Sequence, residues 1–207
     1  MLVNIHTHYK SADSIEIVNY SDIFDFPSYY SFGIHPWDSE TNGLKISEIE
    51  NKAHDKFMLA IGEIGIDKVK GPAFEIQKSC FINQVLIAEK INRPVIIHCV
   101  KAWNEIAAIK KQLQPKQTWI FHGFSKAAIL ESVLQEGLMI SIGAGIMNNK
   151  KLQETLLRIP TDRLFLETDD SHITILEIYK KVSTLKNLSL SELEQIIENN
   201  FKRIFRI

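Results

Sequence analysis

The chain has 207 residues, 45% of them hydrophobic, which is enough for one filled core and favours a single domain over 1–207. A net charge of −1 excludes a chain-wide polyanion-binding surface, so recognition of nucleic acid or phosphate has to come from a local patch. No run approaches the ~18 apolar residues of a membrane span, the first residues lack the basic start of a secretory signal, and Cys80 and Cys99 fit two free thiols in a reduced, cytoplasmic setting.

Eight apolar, β-branched or aromatic runs read as strands: 2–5, 15–18, 29–34, 57–61, 94–97, 118–121, 138–142 and 163–166. Helical spacing follows most of the later ones. Phe81, Val85 and Ala88 repeat at i, i+4, i+7. Ala102, Ile106, Ile109 and Leu113 repeat likewise, then Leu130, Val133 and Leu134, then Leu152, Leu156 and Ile159. Ser189 and Glu192 form a capping box for a last helix with Leu193, Ile196, Ile197, Phe201 and Ile204 as its stripe. Alternation of apolar strands with helices predicts a parallel sheet covered by helices, and eight strands predict a TIM-type (β/α)8 barrel. The chain is short for that fold, typically ~250 residues. The shortage falls early, where about nine and about ten residues separate the first three strands. A trimmed barrel with reduced helices in its N-terminal half is expected.

The ionisable residues follow the strands. Val3-Asn4-Ile5 leads into His6-Thr7-His8, Leu59-Ala60-Ile61-Gly62 into Glu63, Val95-Ile96-Ile97 into His98, Trp119-Ile120-Phe121 into His122, and Leu164-Phe165-Leu166 into Glu167-Thr168-Asp169. In a barrel these strand ends share the face that carries active sites. His6 and His8, two apart, project to the same side of a strand. Taken singly, each residue has a structural reading: a hydrogen-bonded histidine, a salt-bridged Glu63, an Asp169 that caps the next helix. Taken together, so many desolvated ionisable groups require neutralisation, which divalent cations supply. Four histidines and two carboxylates suit two ions, with Glu63 as the bridge, His6, His8 and Asp169 on one ion, and His98 and His122 on the other. Asp169 is also the candidate general base, so Glu63 and Asp169 are the catalytic pair. Zn, Mn, Mg, Fe and Ni are all compatible.

The motifs His6-Thr7-His8, Gly33-Ile34-His35-Pro36-Trp37, Ala60-Ile61-Gly62-Glu63-Ile64-Gly65-Ile66-Asp67, Pro94-Val95-Ile96-Ile97-His98, His122-Gly123-Phe124-Ser125 and Leu166-Glu167-Thr168-Asp169 resemble, in this order, the TatD family of metal-dependent deoxyribonucleases. The closing Glu198-Asn199-Asn200-Phe201-Lys202-Arg203-Ile204-Phe205 is similar to that family's final helix. The resemblance spans essentially the whole chain. It implies a TIM-type barrel, two divalent ions at the six named residues, and phosphodiester hydrolysis, typically of DNA from the 3′ end. Three departures stand out. Asn4 replaces the family's usual Asp, Val100 replaces an Arg, and Asp170-Ser171-His172 replaces a Pro/Arg/Gly/Asn-rich loop. All six ligand positions are kept; the departures fall on the substrate-gripping apparatus.

His35 and Lys101 are the candidate substrate contacts. His35 is held extended by Pro36, with a structural loop histidine as the alternative. Lys101 belongs with Lys68, Lys70, Lys126, Lys150 and Lys151 to a set of lysines after strand ends that suits phosphorylated substrates, including single-stranded DNA ends. Asp67 is a candidate for orienting a ligand, or a loop cap. Phe32, Trp37 and Trp103 offer base-stacking surfaces, with core packing expected for at least two. Cys99 reads as a buried inert thiol, and His54 and His172 as surface or structural residues. No membrane and no obligate protein partner are expected. Two other functions fit the same constellation: amide or lactone hydrolysis, against which the absence of an obvious bridging lysine counts, and a non-catalytic metal-binding barrel.

Overall fold

The computed structural model describes residues 1–11, 14–20 and 28–207. In chain order its elements are β1 (Val3–Thr7), β2 (Ile15–Asn19), β3 (Tyr29–Phe32), α1 (Asn42–Asn51), β4 (Met58–Asp67), α2 (Phe74–Ile91), β5 (Val95–Val100), α3 (Trp103–Leu113), β6 (Trp119–Phe121), α4 (Leu130–Gln135), β7 (Met139–Ile142), α5 (Lys150–Arg158), β8 (Leu164–Leu166), α6 (Ile175–Lys186) and α7 (Leu190–Phe205). The sheet order follows the chain order, β1 to β8, the arrangement of a TIM-type (β/α)8 fold. Among the described residues no helix is long and apolar enough to cross a membrane.

The chain divides into two units, residues 1–18 with 122–207, and residues 19–121. In the first, β1 pairs in parallel with β2 (Val3 opposite Ile15, Asn4 opposite Glu16) and β7 with β8 (Ile140 opposite Leu164). The strand residues Ile5, Ile17, Ile140 and Phe165 are fully buried. So are Ile178, Tyr179 and Val182 of α6 and Leu193 and Ile197 of α7, and the Phe165 ring lies 6.2 Å from that of Phe205. Tyr179 ties α6 to β1: its hydroxyl donates to the Val3 carbonyl and accepts from the Val3 amide, both at 3.0 Å. The Ser189–Glu192 capping box is present as the sequence predicts. Ile196 and Ile204 are only partly covered, and Asn200 and Phe205 complete the buried stripe instead.

In the second unit β3, β4, β5 and β6 pair in parallel. Val85 and Ala88 of α2 and Ile106 of α3 are fully buried, and Phe81 meets Trp119 edge-on at 5.5 Å. Two elements differ from expectation. β4 runs on to Asp67, well past the expected 61, with all ten residues buried. Its apolar pattern breaks at Gly62, yet pairing with β5 carries the strand on through Gly65 opposite His98 and Asp67 opposite Val100. Helix α1, with its weak amphipathic pattern, was not expected. The expected shortening between β1 and β2 and between β2 and β3 involves residues 12, 13 and 21–27, which lie outside the described residues.

Candidate metal centre

In the first unit the donors come from β1 and from the turn after β8. His6 is completely buried within β1 and His8 sits just beyond its end, 40% exposed. Asp169 is knitted to the same strand by its main chain: its N–H donates to the His6 carbonyl at 3.1 Å, and its own carbonyl accepts the His8 N–H at 3.0 Å. This bridge opposite Thr7 holds Asp169 at φ 53°, a left-handed conformation that Asp tolerates better than most residues. The side chain then reaches both rings, with Oδ1 3.4 Å from Nε2 of His6 and 3.4 Å from Nε2 of His8. Burial alone would raise the Asp169 pKa. Hydrogen bonds from His6 and His8 and the charge of His122 and His6 outweigh it and hold the carboxyl well below the usual carboxylate range. Asp169 is not a helix cap: Thr174 caps α6, in a box with Glu177.

Behind this set lies a buried polar lattice. Asn4 accepts the Thr168 N–H at 3.0 Å and donates to the Thr168 hydroxyl at 2.9 Å, and that hydroxyl meets the Thr7 hydroxyl at 2.9 Å. Asn4 thus fixes the residue before Asp169. His122 stands beside His6, ring centroids 4.6 Å apart. Its Nδ1 is 3.5 Å from the fully buried Glu167, whose Oε1 also accepts the Gly123 N–H at 2.6 Å. Glu167 is thus the carboxylate placed against His122, a neighbour that the sequence does not single out although the residue stands in the last motif.

In the second unit three segments contribute. Glu63, 5% exposed, lies in the middle of β4, His98 in β5, and His35 in the loop after β3. Nδ1 of His98 contacts Oε1 of Glu63, while Nε2 of His35 is 3.5 Å from the same oxygen and 3.4 Å from Nδ1 of His98. The other face of His98 is set by Asp67, Oδ2 to Nε2 at 3.5 Å. Asp67 also accepts Nε1–H of Trp37 and the N–H groups of Val69 and Lys70. Burial pushes its pKa up, but these bonds and the charge of His98 more than compensate, so the carboxyl lies below its ordinary value. Asp67 thus caps its loop through Val69 and Lys70, the alternative reading, and also stands against the His98 ring.

Two glutamines and a glycine, none visible as functional in the sequence, hold this second set. Gln84 of α2, fully buried, accepts the Ile34 N–H at 2.7 Å and donates to the Ile34 carbonyl at 3.1 Å, clamping the residue before His35. Gln77, seven residues and thus two turns earlier on the same helix, accepts the Asp67 N–H and donates to the carbonyls of Asp67, Lys70 and Pro72. Gly65, at φ 153°, has no room for a side chain: a Cβ would lie 1.9 Å from the His98 carbonyl oxygen. The glycine lets β4 approach the strand that carries His98.

Each unit therefore presents two imidazoles and one carboxylate, with ligand atoms within 4.8 Å of one another: His6, His8 and Asp169 in one, His35, Glu63 and His98 in the other. A tetrahedral ion that holds its ligands at the usual distances keeps them about 3.4 Å apart. The spacings of 3.4 and 3.5 Å match that edge, while Nδ1 of His98 and Oε1 of Glu63 stand closer, in direct contact; the nitrogen and oxygen donors suit a borderline divalent ion. The residues fit a metal. Of the substrate candidates, His35 joins a donor set, whereas Lys101 is exposed at φ 53°. Lys68 pairs with Glu105, and Lys70 lies over the Trp37 ring at 3.3 Å. Trp37 is 43% exposed; Phe32 and Trp103 are core residues. Both cysteines are buried.

Comparison with known proteins places the chain among metal-dependent hydrolases. A family model described as TatD related DNase matches residues 1–206. The chain is 31% identical to the metal-dependent hydrolase YabD of Bacillus subtilis, over 89% of this chain and 79% of that one. It is 29% identical to the 3′-5′ ssDNA/RNA exonuclease TatD of Pantoea vagans, over 84% and 76%. The crystal structure of YJJV, a TatD homologue from Escherichia coli K12, shares the fold at a TM-score of 0.79 and 24% identity, covering 87% of this chain and 78% of that one. Strand order, donor sets and whole-length similarity together place the chain in the TatD-related DNase family, as a metal-dependent hydrolase.

Proposed function

We propose that the protein hydrolyses phosphodiester bonds at the 3′ end of single-stranded nucleic acid with two divalent ions, one held by His6, His8 and Asp169 and one by His35, Glu63 and His98. The observation that carries this reading is the duplicated donor set, two imidazoles and a carboxylate spaced for one ion in each unit. The activity of the Pantoea vagans relative supports the choice of substrate. Divalent ions in such sets lower the pKa of water and stabilise the oxygens of an in-line displacement.

The chain's own residues do the rest. Asp169, its Oδ1 engaged by His6 and His8 and its carboxyl kept ionised, offers Oδ2 as the acceptor for the proton of the attacking water. Glu63 and Asp169, as carboxylates, would offset the positive charge of the ions that the imidazoles help to hold. His122, faced by Glu167, stands beside His6 as a further ligand or as a donor to a phosphate oxygen. Lys101 is the proposed electrostatic contact to the substrate backbone.

The test uses metal-replete protein, elemental analysis, and single-stranded DNA labelled at either end. We expect two equivalents of metal and shortening from the 3′ end. His98→Ala and Asp169→Ala should each lose about one equivalent and at least ~100-fold in turnover. Turnover of an amide or ester panel without diester cleavage would overturn the substrate assignment. Wild-type protein with one equivalent or none would overturn the two-ion assignment.

A further inference from the structure

The chain has three tryptophans, and two of them, Trp103 and Trp119, are buried. Trp37 is left in solvent, yet it is held in place. Its Nε1–H donates to Oδ2 of Asp67 at 2.8 Å, and its main-chain N–H to Nδ1 of His35 at 3.3 Å. The loop after β4 passes close to its backbone: a Cβ on Gly71 would lie 3.0 Å from the Trp37 Cα. An indole fixed at its edge and its backbone but open to solvent adds little to a core. It is a rigid flat surface of the kind on which a planar ligand stacks.

The position of the ring ties it to the second donor set. Its centroid is 4.6 Å from that of His35, with the planes at 82°, and 6.1 Å from that of His98. The carboxylate that holds its edge is the one 3.5 Å from Nε2 of His98. A flat ligand on the indole therefore lies beside two of the three donors.

One face of the ring has an occupant from the chain itself, Nζ of Lys70, 3.3 Å from the centroid. The Lys70 backbone is anchored: its N–H donates to Oδ1 of Asp67 at 3.0 Å, and its carbonyl accepts from Gln77 at 3.2 Å. Only the exposed side chain has to move to uncover the indole. A cation–π contact at an exposed site is weak. Stacking of a base on the same face is stronger, and the displaced ammonium can then meet a phosphate.

We propose that Trp37 is the stacking platform for the nucleobase whose phosphate reaches His35, Glu63 and His98. Lys70 rests on the indole in the free protein and turns to the strand's phosphate when the base arrives. The assignment rests on the phosphodiesterase reading above and deepens it, since it makes an unpaired base, and not the backbone alone, part of what is gripped.

The test reads binding apart from turnover. Metal-replete protein is titrated with a phosphorothioate-linked thymidine tetranucleotide, with Kd from calorimetry and stacking from tryptophan emission, to which Trp37 is the exposed contributor. We expect saturable quenching in the wild type. Trp37→Leu should lose the quenching and raise Kd about tenfold, whereas Trp37→Phe, which stacks but cannot bond Asp67, should stay within about threefold of wild type. A tetranucleotide of abasic residues, with the same phosphates, should bind about tenfold more weakly. Lys70→Ala should reduce the slope of log K against log salt by about 0.7. No saturable quenching, an unchanged Kd in Trp37→Leu, a Trp37→Phe variant as weak as Trp37→Leu, or equal affinity for the abasic strand overturns the platform. An unchanged salt slope in Lys70→Ala overturns the role of the lysine. End-labelled DNA separates the two readings. If it is shortened while the abasic strand binds equally well, the platform is wrong and the nuclease stands. If the tetranucleotide quenches Trp37 but labelled DNA is not cleaved, the nuclease reading fails and the platform stands.

Discussion

The two donor sets contain the same groups and are assembled differently. In the unit of residues 1–18 and 122–207, one strand supplies two imidazoles two residues apart, and the carboxylate is pinned to that strand by backbone hydrogen bonds on both sides of Thr7. In the unit of residues 19–121, a loop, the middle of a ten-residue strand and a neighbouring strand each supply one donor. Their alignment depends on Gln77, Gln84 and Gly65, which touch no ligand position except through the main chain or Asp67. A set made by local geometry needs little support; a gathered set depends on residues well away from its donors.

The contrast is breakable, most severely at Gly65. Gly65→Ala would place a carbon against the His98 carbonyl and impose a side chain on a positive φ, so β4 and β5 have to separate. We expect a loss of at least ~3 kcal/mol in chemical denaturation, or no folded protein. Wild-type stability in this variant would show that the close strand approach is not required. Gln84→Leu comes next. It leaves the Ile34 N–H and carbonyl buried without their partner, at about 1–3 kcal/mol each before relaxation. In metal titrations one equivalent should weaken while the one assigned to His6, His8 and Asp169 is retained; equal weakening of both would erase the distinction.

The smallest effect is a pH dependence. Asp67 has a depressed carboxyl pKa, so its contribution to stability is fully present above the unfolded carboxylate value and is lost as pH falls through the folded one. Asp67→Asn should therefore be less stable than wild type at neutral pH by about 1–2 kcal/mol, and the gap should close below roughly pH 4. A gap constant with pH in denaturation midpoints would mean that the carboxylate charge contributes nothing.

This difference in construction also explains what was legible. His6 and His8 could be read as a pair because strand periodicity is local, and Asp169 because it ends an apolar run. The barrel strands and the last helix with its capping box were visible for the same reason. His35 was read as a substrate contact: nothing about Gly33-Ile34-His35-Pro36 reveals that its ring comes to Glu63 and His98. Glu63 and His98 looked like strand ends but lie inside their strands, since Gly62 and Gly65 break the apolar pattern while preserving the pairing. Gln77 and Gln84 look like polar residues on an amphipathic helix. Only tertiary contact shows that their amides face inward to backbone groups that would otherwise lack partners.

The bridge between Thr7 and Asp169 also bears on the order of synthesis. His6 and His8 leave the ribosome well before the rest of their set: the carboxylate that completes it, and Tyr179, which anchors their strand, follow more than 150 positions later. Contacts of such long sequence separation form late in folding. A nascent chain thus carries two of the three donors of a cation site until those later residues have emerged, and the site closes only when they fold back onto the first strand.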